Sequence, residues 1–248
     1  MSSSLNHNEY HLVSPAILDQ IELVKQFLEE DPRYSLIRAH KALDIVKRDA
    51  NHHSVKIECL GEKQRVRNKA IAGSTLAQGF FSRNYQGNLS GQVLIDCAAL
   101  INGTDSGRYR TLQSKAFNGN RPIIYPDDVP EQIALFLPEN NGIGNPVEKA
   151  LHAHFNILRI HPFDDGNGRV ARLVQNGILD SHRYPSIVLT QPERSVYLST
   201  LQAAEMEYRE SDRQSGRKQS KFYNFLALKL RDSLLEVKAI IDRTAKKR

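Results

Sequence analysis

The sequence predicts a mostly α-helical protein with one small β-hairpin. Three observations predict this. Apolar residues recur at spacings of three and four over most of the chain, the period of one helix face. Ser-Pro, Asp-Pro and Thr-x-x-Glu signals stand at the ends of those segments, where helices start and stop. Strand-forming residues gather beside a tight-turn dipeptide at one place.

The elements follow in order. Ser14-Pro15 reads as an N-cap with proline at the first helical position; Ile17, Ile21, Val24 and Leu28 then share a face until Asp31-Pro32. A second helix is predicted from Tyr34 to about Lys47, and further helical segments over 54–60, 65–83 and 90–101. In "TLQSKAFNGNRPIIYP", Asn118-Gly119 is a strong hairpin signal, and Ile123, Ile124 and Tyr125 are strand formers bracketed by Pro122 and Pro126. Proline there argues for an exposed edge. Such an edge is either an ordinary surface turn or a place where a partner's extended segment adds a strand. Val147, Leu151, His154 and Leu158 form one face of a helix beginning after Pro146, and Val170, Leu173, Val174, Gly177 and Ile178 form the stripe of another beginning near Gly168. Thr190-Gln-Pro-Glu193 has the form of a capping box. Phe222, Leu226, Leu230, Leu234, Val237 and Ile241 recur at helical spacing, so the C-terminal helix should dock by one face.

Composition narrows the class. The chain has 248 residues, 40% hydrophobic and 25% charged, which is ordinary globular usage. No apolar run approaches the roughly 20 residues of a membrane span. The start "MSSSLNHNEYHLV" lacks the apolar core of a signal peptide, and Cys59 and Cys97 are the only cysteines. A reducing, cytoplasmic setting is expected; delivery into another cell as an effector would leave no trace of this kind. Net charge is +6, and the segment 209–248 alone holds twelve Lys/Arg against five Asp/Glu. That tail reads either as the solvated face of a helix or as a surface for nucleic acid or an acidic partner.

The chemistry gathers in "IHPFDDGNGRVARL", Ile160 to Leu173. The turn Asp165-Gly166-Asn167-Gly168 runs into a helix, whose N-terminus offers unpaired N–H groups and a positive dipole end to an anion. Glycine allows close backbone approach. Arg169 and Arg172 stand at i and i+3 and can reach one phosphate chain, each with paired donors. Asp164 and Asp165 supply hard oxygen ligands, and Mg²⁺ is commonly held by one or two carboxylates plus substrate phosphates. His161, with a reference pKa near 6.5, suits general-base work at neutral pH. Together these groups point to phosphate-centred transfer by positioning and electrostatics. No Walker motif is present. His152, His154 and His161 do not make a metal cluster: the first two lie on different helix faces, and His154 reads as a hydrogen-bonded core residue.

"HPFDDGNGRVAR" resembles the signature of Fic-domain proteins, His-Pro-Phe-x-Asp/Glu-Gly-Asn-Gly-Arg-x-x-Arg, at every specified position. "SGRYRT" from Ser106, "IIYPDDVPEQI" from Ile123 and "RSVYLSTLQAAE" from Arg194 are similar to the family's flanking segments, so the likeness spans roughly residues 105–226. The resemblance implies a helical bundle with an active-site loop between two central helices and a β-hairpin flap. It implies a division into an N-terminal helical region (1–104), a core (105–208) and a basic C-terminal helical extension (209–248). It implies AMPylation, with ATP as substrate, Mg²⁺ or Mn²⁺ as cofactor and a protein Ser, Thr or Tyr hydroxyl as acceptor. His161 would be the base, and Asp165 the metal ligand. Gly166, Asn167 and Gly168 would form the anion hole, with Arg169 and Arg172 on the β- and γ-phosphates. Phe163 would anchor the loop, Tyr197 would approach the base, and the hairpin of Asn118, Gly119, Ile123, Ile124 and Tyr125 would dock the target.

Many relatives carry an inhibitory helix of the form Ser/Thr-x-x-x-Glu-Gly/Asn, and "SVKIEC" at Ser54–Cys59 is similar to it, with Cys59 replacing Gly or Asn. Ser54 and Glu58 would share a face, Glu58 would pair with Arg172 in place of the γ-phosphate, and Arg169 would be left to the nucleotide. In some relatives this glutamate also supports removal of AMP. The sequence leaves open a homodimer, transfer of UMP or phosphate in place of AMP, and a binding function of the basic tail.

Overall fold

Pro15, its φ preset and no N–H to lose, opens α1 (Pro15–Glu30), and the chain leaves it in extended backbone at Asp31, before Pro32. In this computed structural model the structure describes residues 11–34, 36–59, 61–113, 115–116, 121–122, 124–210 and 220–245. Ser14 stands at the predicted cap, yet its side chain makes no cap bond; its N–H donates to Asn224 Oδ1 at 2.8 Å, tying α1 to the C-terminal helix.

α2 (Leu36–Glu58) is one helix where the sequence suggested two, over 34–47 and 54–60. The polar stretch between them, "RDANHH", holds neither Gly nor Pro, so nothing interrupts the hydrogen-bond ladder. Ala42, Val46, Ala50 and Ser54, four residues apart, form its buried stripe. α3 (Gln64–Asn84) and α4 (Gly91–Asn102) agree with expectation, and Ser90 Oγ caps α4 by accepting from the Val93 N–H.

The hairpin differs in detail. β1 (Lys115–Ala116) and β2 (Arg121–Pro122) pair antiparallel, Lys115 with Pro122 and Ala116 with Arg121. Asn118, Gly119 and Ile123 lie outside the described residues. Ile124 and Tyr125, expected in the strand, lie beyond it: Tyr125 leads into a 3-10 turn at Pro126–Asp128, where proline has no N–H to continue a ladder. That turn feeds α5 (Val129–Gly142), a helix the sequence reading did not assign because Pro130 and Pro138 obscured its pattern.

α6 (Pro146–Ile160) begins at Asn145, whose Oδ1 accepts from the N–H groups of Val147 and Glu148. A single apolar face was expected; instead α6 is buried on nearly all sides, from Val147 to Ile160. It packs on α7 (Asn167–Ser181), and together they form the centre of the molecule. The Thr190 capping box is present and leads into α8 (Arg194–Glu210). α9 (Ser220–Ala245) buries all six predicted stripe residues, Phe222 to Ile241, against α1, α2, α6 and α8. One cluster of buried side chains runs from Val13 to Ile241 and draws on all three segments expected from the sequence. Several tail cations are paired within the protein: Lys229 with Glu193 at 2.7 Å, and Lys238 with Asp242 at 2.8 Å. Among the described residues, no helix is long and apolar enough to cross a membrane.

Because α9 is a wall of the core, trimming it should unfold the protein, not merely shorten it. Leu230→Ala is expected to cost about 2–5 kcal/mol, the range for a fully buried leucine, read as a lower urea midpoint with an unchanged slope.

Candidate active site

The loop between α6 and α7 is held in one shape by contacts within itself. His161 ends α6 in the left-handed region, at φ 53° and ψ 57°, a conformation unusual for a residue with a Cβ. Its N–H still donates to Ile157 O at 2.9 Å. Phe163 is buried beside Tyr109, with ring centroids 6.1 Å apart. Asn167 then clips the loop: its Oδ1 accepts from the Phe163 N–H at 2.9 Å and its Nδ2 donates to the Phe163 carbonyl at 2.8 Å. Its carboxamide is thus committed to the loop, so the predicted anion hole rests on the backbone N–H groups at the head of α7. Gly166 caps α7 at φ 80°, and a Cβ on it would meet Asn102 Oδ1 at 2.7 Å.

These groups line a cleft of about 640 Å³, within the usual range of small-ligand sites. His161, Asp165, Gly166, Asn167 and Gly168 line it together with Glu58, Arg172 and Tyr197. Burial lowers the His161 pKa below its usual value. Arg110 adds to the effect; the ring's bond to the Leu158 carbonyl and the charges of Glu58 and Asp165 oppose it. The imidazole is therefore neutral at pH 7, as a base must be.

Arg172 is buried at the edge of the cleft. Its Nε donates to Ser54 Oγ at 2.8 Å, and its Nη2 to Ser54 O at 3.1 Å and Glu58 Oε1 at 2.8 Å. Burial alone would lower its pKa; Glu58 and the Tyr197 hydroxyl together outweigh that and raise it. Contrary to the expected division of labour, Glu58 faces both arginines, with Oε2 3.7 Å from Arg169 Nε. Gly168 makes room for this carboxylate: a Cβ there would stand 1.9 Å from Glu58 Oε1. The end of α2 is also pinned by Arg194, whose Nε donates to Ile57 O at 3.0 Å. Cys59, the departure from the motif, keeps a negative φ, and the left-handed turn falls on Gly61. Glu58 therefore still ends a regular helix and points at the arginines.

Tyr197 lines the cleft but is buried, with its hydroxyl 2.9 Å from His154 Nε2 and facing Arg172. It forms part of the wall, and burial pushes its pKa up to about 12. His154 is the core histidine the sequence suggested; burial drives its pKa down to about 3, with Arg172 adding to the shift.

Asp165 is the group placed to meet a cation. Its side chain is 81% exposed at the cleft, with Oδ2 3.1 Å from Arg169 Nη2. Among the described residues no cluster of three His, Cys, Asp or Glu could hold a metal by itself. One carboxylate in an anion-binding cleft fits Mg²⁺, which takes most of its ligands from phosphates and water; it would not fit a closed structural site. Near the hairpin, Tyr125 is exposed and Ile124 packs partly on the core.

Three contributors escaped the sequence reading. Asn102, at the end of α4, donates to Asp165 O at 3.0 Å and accepts from Arg169 Nη2 at 3.2 Å. Arg194 holds α2, and Arg110 donates from Nε to His161 O at 2.7 Å. Each acts largely through backbone atoms, which leave no residue-type signal; only the positions of Arg110 within "SGRYRT" and Arg194 at the head of "RSVYLSTLQAAE" hinted at a role.

Residues 89–179 match the model described as the Fic/DOC family, starting before the expected core boundary at 105 and ending short of 208. The chain is 35% identical over 104 residues to protein adenylyltransferase Fic of Nematostella vectensis, covering 40% of this chain and 24% of that protein. It is 33% identical over 106 residues to protein adenylyltransferase fic-1 of Caenorhabditis elegans, covering 41% of this chain and 20% of the relative. The chain thus spans about a quarter or less of the length of these curated relatives. Its fold resembles that of a Fic domain containing signaling protein from Bacteroides thetaiotaomicron, with a TM-score of 0.77 at 23% identity over 90% of this chain and 97% of the other. A solved piece of Fic-1 from C. elegans gives a TM-score of 0.71 at 19% identity, over 94% and 73% of the two chains.

The Asn167 clip can be tested apart from any activity. Asn167→Ala leaves the Phe163 N–H and carbonyl buried and unpaired, at about 1–3 kcal/mol for each group. A fall in thermal midpoint, with faster amide exchange confined to residues 161–168, is the expected signature.

Proposed function

We propose that this chain, whose residues 89–179 form a Fic/DOC-family domain, transfers AMP from ATP to a Ser, Thr or Tyr hydroxyl of a target protein and is restrained by Glu58. The observation that carries the reading is the Glu58 carboxylate seated on the buried Arg172 beside an anion-binding helix start. A carboxylate occupies the place that a phosphate of the nucleotide would otherwise take.

The chemistry follows from the groups present. Gly166, Asn167 and Gly168 present backbone donors to the α-phosphate, and Arg169 and Arg172 neutralise the β- and γ-phosphates. The target's segment docks along the edge of β1 and β2, beside Tyr125. Neutral His161 takes the hydroxyl proton as the oxygen attacks the α-phosphorus. The new P–O ester forms, the bond to the bridging oxygen breaks, and pyrophosphate leaves with its electron pair. Tyr197 helps to wall the nucleotide. Mg²⁺ or Mn²⁺, held by Asp165, would supply charge neutralisation on the phosphates.

Glu58 restrains this reaction by competition. While it holds Arg172, the γ-phosphate is displaced and the α-phosphate is not aligned for attack. Ser54 and Arg194 keep α2 in that position. The same carboxylate, beside the anion site, can orient a water for the reverse hydrolysis, so deAMPylation belongs to the proposal.

Glu58→Gly should raise auto-AMPylation and target AMPylation from α-labelled ATP by about tenfold or more, the effect of about 1.4 kcal/mol, and should remove deAMPylation. His161→Ala should abolish transfer, and intact-mass spectrometry should show added AMP, not UMP or phosphate. Unchanged auto-AMPylation in Glu58→Gly would refute the inhibitory role. Because the His161 pKa is depressed, its neutral form persists to lower pH; the acid limb of kcat/KM should therefore fall below the ordinary 6.5.

A further inference from the structure

Arg110 is among the largest fully buried side chains, at 2% exposure, and its donors go to backbone carbonyls. Nε donates to His161 O at 2.7 Å, Nη1 to Leu112 O at 3.0 Å and Nη2 to Ile124 O. Its own N–H donates to Pro162 O at 2.9 Å. Leu112 lies just before β1 and Ile124 just after β2. One rigid guanidinium therefore joins the entry and exit of the hairpin to the peptide of His161, which is itself held in the left-handed region.

We propose that Arg110 is a positioning residue that couples the target-docking hairpin to His161, so that the base is aligned by the same contact that holds the docking edge. This rests on the reading of the hairpin and His161 given under Proposed function. Three features support it. Burying a cation is costly, and the Asp164 charge offsets only part of that, so a buried guanidinium whose hydrogen bonds among the described residues go to carbonyls persists where those carbonyls must be held together. Its planar fork reaches three acceptors in fixed directions, which the single ammonium of lysine does not reproduce. The carbonyl it holds belongs to the residue that takes the proton, where a shift of about 1 Å costs on the order of 100-fold in rate. The nucleotide cleft is lined by other residues, so nucleotide affinity should not depend on Arg110.

The test uses the full chain in the Glu58→Gly background with Arg110→Lys and Arg110→Ala. The expected result is a kcat for target AMPylation lower by about 100-fold, a raised KM for the target protein, and an ATP affinity within about twofold by titration with a fluorescent analogue. Added methylguanidine should restore part of the rate in Arg110→Ala and none in His161→Ala. In a second arm, independent of transfer, Arg110→Lys should speed amide exchange in residues 112–125 and 161–168 together. Parallel loss of kcat and ATP affinity, or unchanged exchange in either segment, would overturn the proposal. If Glu58→Gly transfers nothing while both segments loosen together, the clamp stands and the AMPylation reading fails.

Discussion

A guanidinium shut inside a protein must find acceptors, and Arg172 is the point around which the molecule is arranged. It projects from the first turns of α7, beneath a helix start that already favours anions. Positive groups gathered that closely repel one another unless an anion lies among them. In this structure the anion is Glu58, brought by a helix from more than a hundred residues earlier and steadied by the Ser54 hydroxyl. With that carboxylate in place, both cations of α7 face an anion.

The loop beneath that pair depends on a different economy. His161 adopts a conformation that costs energy, and Phe163, Asn167 and Arg110 offset the cost by holding the peptides on either side. The result is an imidazole with a lowered pKa in a fixed position, beside the backbone N–H groups at the head of α7. α6 can support such a loop because it is buried on nearly all sides, so the end of the helix has little freedom to move. α9 packs across α1 and α2, so the helix that carries Glu58 is backed by the same core.

Much of this was legible in the residues. The helical period gave α1, α3, α4, α6, α7 and α9 close to their true places, and the capping box marked the start of α8. Three failures are instructive. α2 was divided because its middle is polar, yet polarity on an exposed face does not break a helix. α5 was missed because prolines near its start and within it hide a helical period, although proline is tolerated in a first turn. Ile124 and Tyr125 have strand propensity, but the Pro126 turn and the Arg110 bond took them out of the sheet.

By itself the sequence determined the local chemistry of residues 161–172. A base, a carboxylate, a glycine turn and two arginines lie within one loop and one helix start, so their proximity follows from covalent connection and helical geometry alone. Tertiary structure decided what those groups meet. It gave Glu58 to both arginines, turned the Asn167 side chain onto its own loop, sank Tyr197 against His154, and bound Arg110 to three carbonyls. The reason is physical: contacts between distant segments are selected by packing. Backbone carbonyls, present at every residue, carry no mark in the sequence of which side chain will find them.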